Sequence, residues 1–144
     1  MLLPDVNVLV YAHRADEKVH RPYREWMEQM IVGAEPFALS VLVAAGFLRI
    51  VTNPRIYERP TPLSAALATI EALVERPTCR VIGPGKKHLE LLAGLCRATR
   101  SSGKLVADAA HAAVAMENGC VLVTRDADFE RFAAHGLRWQ YLTF

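Results

Sequence analysis

The stretch from Lys104 to Phe129 constrains the fold of this chain more than any other. It reads as a helix beginning near Val106, a stop at Asn118-Gly119, an apolar strand over Cys120, Val121, Leu122 and Val123, and a polar turn carrying Asp126 and Asp128. Asp108 then falls in the first helical turn, where the positive end of the backbone dipole already suits a carboxylate. The other end of the chain has a matching pattern, because the short apolar strand Met1-Leu2-Leu3 is followed by a turn with Asp5 and Asn7. In an open parallel sheet, groups just past the carboxyl ends of the strands face one crevice. Asp5, Asp108, Asp126 and Asp128 are therefore expected to form one acidic site, assembled from parts more than a hundred residues apart.

The intervening chain alternates in the same manner. Asp5 ends the first strand and leads into a short helix through Tyr11, so capping that helix is an equally good account of it. An amphipathic helix over Arg21 to Ile31 follows, with Tyr23, Trp26, Met27 and Met30 on its apolar side. Phe37-Ala38-Leu39 is a second strand, and Ser40 caps an apolar helix from Val41 to Val51. Thr61 is placed to cap a helix from Pro62 to about Arg76, since proline suits a first helical turn. Cys79 to Ile82 is a third strand, closed by a Gly83-Pro84-Gly85 turn that lacks the Gly-Lys-Ser/Thr of a phosphate loop. Lys87 to Ala98 is a helix, a short helix passes through Phe129 and Phe132, and Leu137 to Leu142 supplies an edge strand. Strands alternating with helices predict an α/β layer fold, a mostly parallel sheet of four to five strands flanked by helices.

With 144 residues and 52% apolar content, residues 1–144 read as a single domain. The net charge of +2 gives no bulk attraction for nucleic acid, so contacts to it must come from local basic groups. Cys79, Cys96 and Cys120 have no CxxC spacing and lie in apolar surroundings, which predicts buried thiols in a reducing compartment, the cytoplasm. The start of the chain carries Asp5 and Asn7 without a basic leader, which speaks against a signal peptide or a membrane span.

Four carboxylates in one crevice must raise one another's pKa values or recruit a cation. An all-oxygen set without histidine or thiolate favours a hard ion such as Mg²⁺ over zinc. Such an ion polarises a phosphoryl oxygen and activates water, so phosphodiester hydrolysis is the chemistry best served. An acidic pocket repels a polyanion, and Arg14, Arg97, Arg100, Lys104 and Arg125 are the candidate rim cations to hold RNA. Arg49 is placed either to reach a phosphate or to pair with a site aspartate. Asn7 and Thr124 are polar neighbours able to orient a carboxylate, or ordinary capping and turn residues. His111, three residues beyond Asp108, reads as a structural histidine more than as a catalytic base.

Four segments together resemble the PIN-domain ribonuclease toxins of the VapC family. They are Leu3-Pro4-Asp5-Val6-Asn7-Val8-Leu9, Phe47-Leu48-Arg49-Ile50-Val51-Thr52-Asn53-Pro54-Arg55, Asp108 with its Ala-rich helix, and Val123-Thr124-Arg125-Asp126-Ala127-Asp128-Phe129. The resemblance covers nearly the whole chain. It implies a PIN-like three-layer fold and a metal-dependent endoribonuclease that cleaves RNA, often structured RNA such as tRNA. It also implies a VapB-type antitoxin as inhibitory partner and a homodimer. Asp5, Asp108 and Asp126 take the places of that family's metal-binding and catalytic aspartates, with Asp128 as an additional acid and Thr124 as a polar neighbour. One departure stands out. The family often carries a glutamate on the helix before Phe47-Leu48-Arg49, where this chain has Ala44, Ala45 and Gly46. That departure keeps open a second reading, a PIN-fold module that binds RNA or protein with weakened catalysis. A phosphatase of the haloacid-dehalogenase kind is a poorer match, because it would want an aspartate where Asn7 stands.

Overall fold

A computed structural model describes residues 1–144. Its centre is a five-stranded sheet in which every pairing is parallel, so the expected mostly parallel sheet is parallel throughout. The strands are β1 (Leu2–Pro4), β2 (Phe37–Ser40), β3 (Cys79–Ile82), β4 (Val121–Thr124) and β5 (Trp139–Tyr141), in the spatial order β3-β2-β1-β4-β5. The chain steps outward from β1 through β2 to β3, then crosses back and continues on the other side with β4 and β5. The direction of winding therefore reverses between β1 and β4, and a crevice opens at that point beyond their carboxyl ends.

Helices cover both faces. On one side lie α1 (Val6–His13), α2 (His20–Val32), α3 (Val41–Val51) and α4 (Leu63–Val74), sealed by Val8, Phe47, Val51 and Tyr23 against Phe37, Leu39 and Val123 of the sheet. On the other lie α5 (His88–Thr99), α6 (Lys104–Glu117) and α7 (Glu130–Ala133), which follows a single 3-10 turn over Ala127–Phe129. Their core joins Ala109, Ala112, Ala113, Phe129 and Phe132 to Leu3, Ala38 and Leu122. Neighbouring strand residues go to opposite cores, as the two-residue strand repeat requires: Ala38 faces one and Leu39 the other, Leu122 one and Val123 the other. Both faces being covered at the centre of the sheet, β1, β2 and β4 read as largely apolar runs without alternation.

Two local expectations change. Helix α6 starts at Lys104 instead of near Val106, because Gly103 at φ +58° turns the chain sharply into it. Asp108 consequently sits in the second turn, and attraction to the helix terminus does not account for it. Thr61 does not cap α4; its hydroxyl is engaged by His13 Nε2 at 3.1 Å and Arg14 Nη1 at 3.2 Å, and α4 starts after Pro62 without a side-chain cap. Ser40 does cap α3, accepting from the Leu42 amide. The three cysteines are free thiols, Cys120 buried and the other two half-buried. No helix is long and apolar enough to cross a membrane.

Candidate active site

The crevice beyond β1 and β4 is an open cleft of about 640 Å³, and Asp5, Asp108 and Asp126 all line it. Each arrives from a different element. Asp5 is the residue after β1, Asp126 follows β4 by two, and Asp108 comes from the buried face of α6.

Asp5 is held most firmly. Its Oδ1 accepts from the Val6 amide at 2.7 Å, so it does cap α1, and its Oδ2 accepts from the Thr124 hydroxyl at 2.7 Å. Thr124 is fully buried and works in both directions, since the same Oγ1 accepts from the Asp126 amide at 3.0 Å and from Asn7 Nδ2 at 3.1 Å. Asn7 closes the loop by accepting from the Arg125 amide at 3.2 Å. The two expected supporting residues thus lock the ends of β1 and β4 together and fix the carboxylate between them. Capping and site geometry are both functions of Asp5.

Asp108 is the opposite case. It is 7% exposed, and its Oδ2 is buried without a hydrogen-bond partner. Burial pushes its pKa up to about 6; Lys104 pulls the other way, while the carboxylates of Asp126, Asp5 and Asp128 push it further up. Asp126 has one oxygen on the Asp128 amide at 2.9 Å and the other on Lys104 Nζ at 3.1 Å. Asp128 does not line the cleft. It is exposed, and its nearest cation is Arg131 at 3.9 Å, because the 3-10 turn that Asp126 caps carries it outward. His111 does line the cleft, with Nδ1 buried and unpartnered; burial holds its pKa low, so its ring is neutral at pH 7.

Of the expected rim cations, Arg49, Lys104 and Arg125 line the cleft. Arg125 lies against the Tyr11 ring at 5.3 Å. Arg14 is a correction: it is buried, paired with Asp16 at 2.6 Å, bonded to the Arg59 carbonyl and stacked 3.9 Å from the Tyr57 ring centre. Its donors are consumed in tying the α1–α2 loop to the loop before α4. Arg97 and Arg100 lie on and just after α5, outside the cleft lining, Arg100 as the left-handed residue that ends the helix.

Tyr11, Glu17 and Tyr57 also line the cleft, and sequence reasoning did not find them; Gly46, noted there only for the acid it lacks, lines it too. Glu17 accepts from the Tyr57 hydroxyl at 2.8 Å across forty residues of sequence, a pairing no local pattern announces. Gly46, one of the three α3 positions where the family's glutamate is missing, is tightly packed. A Cβ there would stand 2.9 Å from Val6 Cγ2, so any side chain at that position would force Val6 or the α1–α3 contact to shift.

The donor set is all oxygen, with one desolvated carboxylate oxygen left unpartnered and an ammonium seated beside Asp126 as a cation would be. These residues fit a small hard ion. As they stand, no three His, Cys, Asp or Glu side chains are arranged to hold a metal. The fit is to an ion that keeps a largely aqueous shell.

Residues 2–135 match the family model of the PIN domain. Ribonuclease VapC25 of Mycobacterium tuberculosis is 44% identical over 134 residues, which are 93% of this chain and 94% of that protein. The chain belongs to the VapC ribonucleases, a PIN-domain family. Two solved structures share the VapC fold at low identity. The VapBC2 complex of Rickettsia felis bound to a promoter DNA fragment superposes with a TM-score of 0.69 at 17% identity, covering 96% of each chain. VapC20 of Mycobacterium tuberculosis, described as a Sarcin-Ricin loop cleaving toxin, superposes with 0.67 at 16% identity over the full length of both. In this VapC chain the acids following β1 and β4, and the buried acid of α6, are the residues that face one another across the cleft.

Proposed function

We propose that this chain, as a single PIN domain over residues 1–144, is a divalent-metal-dependent endoribonuclease, the cytoplasmic toxin of a type II toxin-antitoxin pair. The observation that carries the reading is the buried Asp108 Oδ2, unpartnered and set in the same cleft as Asp5 and Asp126. A buried carboxylate oxygen without a hydrogen bond is costly unless a ligand meets it. Mg²⁺ or Mn²⁺ bound there would supply Lewis acidity to the scissile phosphoryl group and lower the pKa of a coordinated water. Asp108 and Asp126 would hold the ion directly, and Asp5 would orient it from the junction that Thr124 and Asn7 stiffen. Arg49 and Arg125 supply the positive walls that an RNA backbone requires beside so many acids.

The 44% identity to a protein named as a ribonuclease supports the activity. The likeness to a toxin that cleaves the Sarcin-Ricin loop is in keeping with structured RNA as substrate. The likeness to VapBC2 is in keeping with a VapB-type antitoxin as partner. The second reading, an RNA- or protein-binding module with weakened catalysis, is favoured by one observation: α3 contributes no acid to the cleft.

The test is incubation of the purified chain with an end-labelled pool of structured RNA in Mg²⁺, Mn²⁺ or chelator, beside Asp5→Asn and Asp108→Asn. Internal cleavage that needs the metal and both aspartates supports the proposal. RNA binding without cleavage in any metal establishes the second reading in its place.

A further inference from the structure

Lys104 is the first residue of α6, and that end of a helix is the unfavourable one for a cation, since its unpaired amide groups carry positive partial charge. What its ammonium meets explains the placement. Nζ donates to Asp126 Oδ2 at 3.1 Å and lies 3.9 Å from Asp108 Oδ2, the oxygen that has no hydrogen bond and whose side chain is only 10% exposed. One helical turn separates positions 104 and 108, so both project over the same cleft. Arg49 and Arg125 line that cleft without pairing with any of its carboxylates, which leaves the ammonium as their counter-charge. The Lys104 side chain is 71% exposed and can swing away without uncovering any core.

We propose that Lys104 is a built-in counter-cation: it neutralises Asp108 and Asp126 in the metal-free protein, and a divalent ion binds by displacing its ammonium. This rests on the reading of those two aspartates as metal ligands. Ion loading is then a competition for the same oxygens, and Lys104 sets the ion affinity lower than the carboxylates alone would give. No bond is made or broken; the ammonium leaves still protonated and is taken up by solvent.

The experiment is a titration of the full chain with Mn²⁺, following free Mn²⁺ by electron paramagnetic resonance, a readout independent of catalysis. The proteins compared are the unaltered chain, Lys104→Gln, Arg125→Gln and Asp108→Asn, each first shown to be folded by a thermal melt. Arg125→Gln removes the same charge from the same cleft without removing a carboxylate pair. Lys104→Gln is expected to bind Mn²⁺ about two- to fivefold tighter, the range of a partly exposed ion pair, and Arg125→Gln to gain much less. Equal or weaker binding by Lys104→Gln, or an equal gain in Arg125→Gln, overturns the proposal; binding that Asp108→Asn abolishes would leave the metal site itself standing. No Mn²⁺ binding by either the unaltered chain or Lys104→Gln overturns both.

Discussion

Asp108 carries a measurable penalty as a lone residue. Its pKa is about 6 in the fold and near the ordinary carboxylate value of 3.8 in the unfolded chain. Between those values the folded state holds the proton that the unfolded state has lost, so stability falls as pH rises. The contribution is full below the unfolded value and is gone above pH 6. Asp108→Asn is therefore expected to stabilise the metal-free protein by about 1–3 kcal/mol at pH 7.5 and by little at pH 4, read from urea denaturation in chelator. Equal effects at both pH values would show that Asp108 is not held in an unfavourable state. Thr124 behaves in the reverse sense. Thr124→Val keeps the shape but leaves Asp5 Oδ2 without its hydroxyl donor and strips the acceptor from the Asp126 amide, a loss of about 1–3 kcal/mol in the same assay.

At the scale of elements, the α1–α3 contact limits what position 46 can carry. Gly46 sits against Val6, and both belong to the cleft wall. Gly46→Ala should lose about 1–2 kcal/mol through crowding, whereas the same change in a Val6→Ala background should gain up to about 1 kcal/mol from helix propensity. Thermal or denaturant melts of the four proteins give the cycle; the same sign in both backgrounds would mean that the contact is not what excludes a side chain. Here the limits of the sequence are physical. Strand and helix periods, Ser40 as a cap and the acids after β1 and β4 were legible because each depends on neighbours a few residues away. Asp5 was equally legible as a cap and as a site residue, and it is both. Arg14 was not, because its partners Asp16, Tyr57, Arg59 and Thr61 come together only through the packing of two loops. The start of α6 was misplaced by two residues because the positive φ of Gly103 is a property of the backbone that composition does not reveal.

For the whole molecule, the reversal of winding between β1 and β4 brings residues from both ends of the sequence to one crevice. The expected convergence of Asp5, Asp108 and Asp126 followed from strand-end logic and is what the cleft contains. The same logic failed for Asp128, because a 3-10 turn, and not the sheet, determines where that residue points. With only Arg49, Lys104 and Arg125 on the cleft wall, RNA affinity should depend on few phosphate contacts. With Lys104 paired to the aspartates in the metal-free protein, the plot of log affinity against log salt is expected to have a slope of about −1.5 to −2, measured by fluorescence anisotropy in chelator. A slope beyond about −5 would require Arg97, Arg100 or other cations outside the cleft to join the contact. The most direct test of the convergence itself is an anomalous difference map from crystals soaked in Mn²⁺. The expected result is a peak within coordination distance of Asp108 Oδ2 and Asp126, facing Asp5. A fully soaked crystal with no peak in that cleft, or with its peak on another surface, would contradict the account.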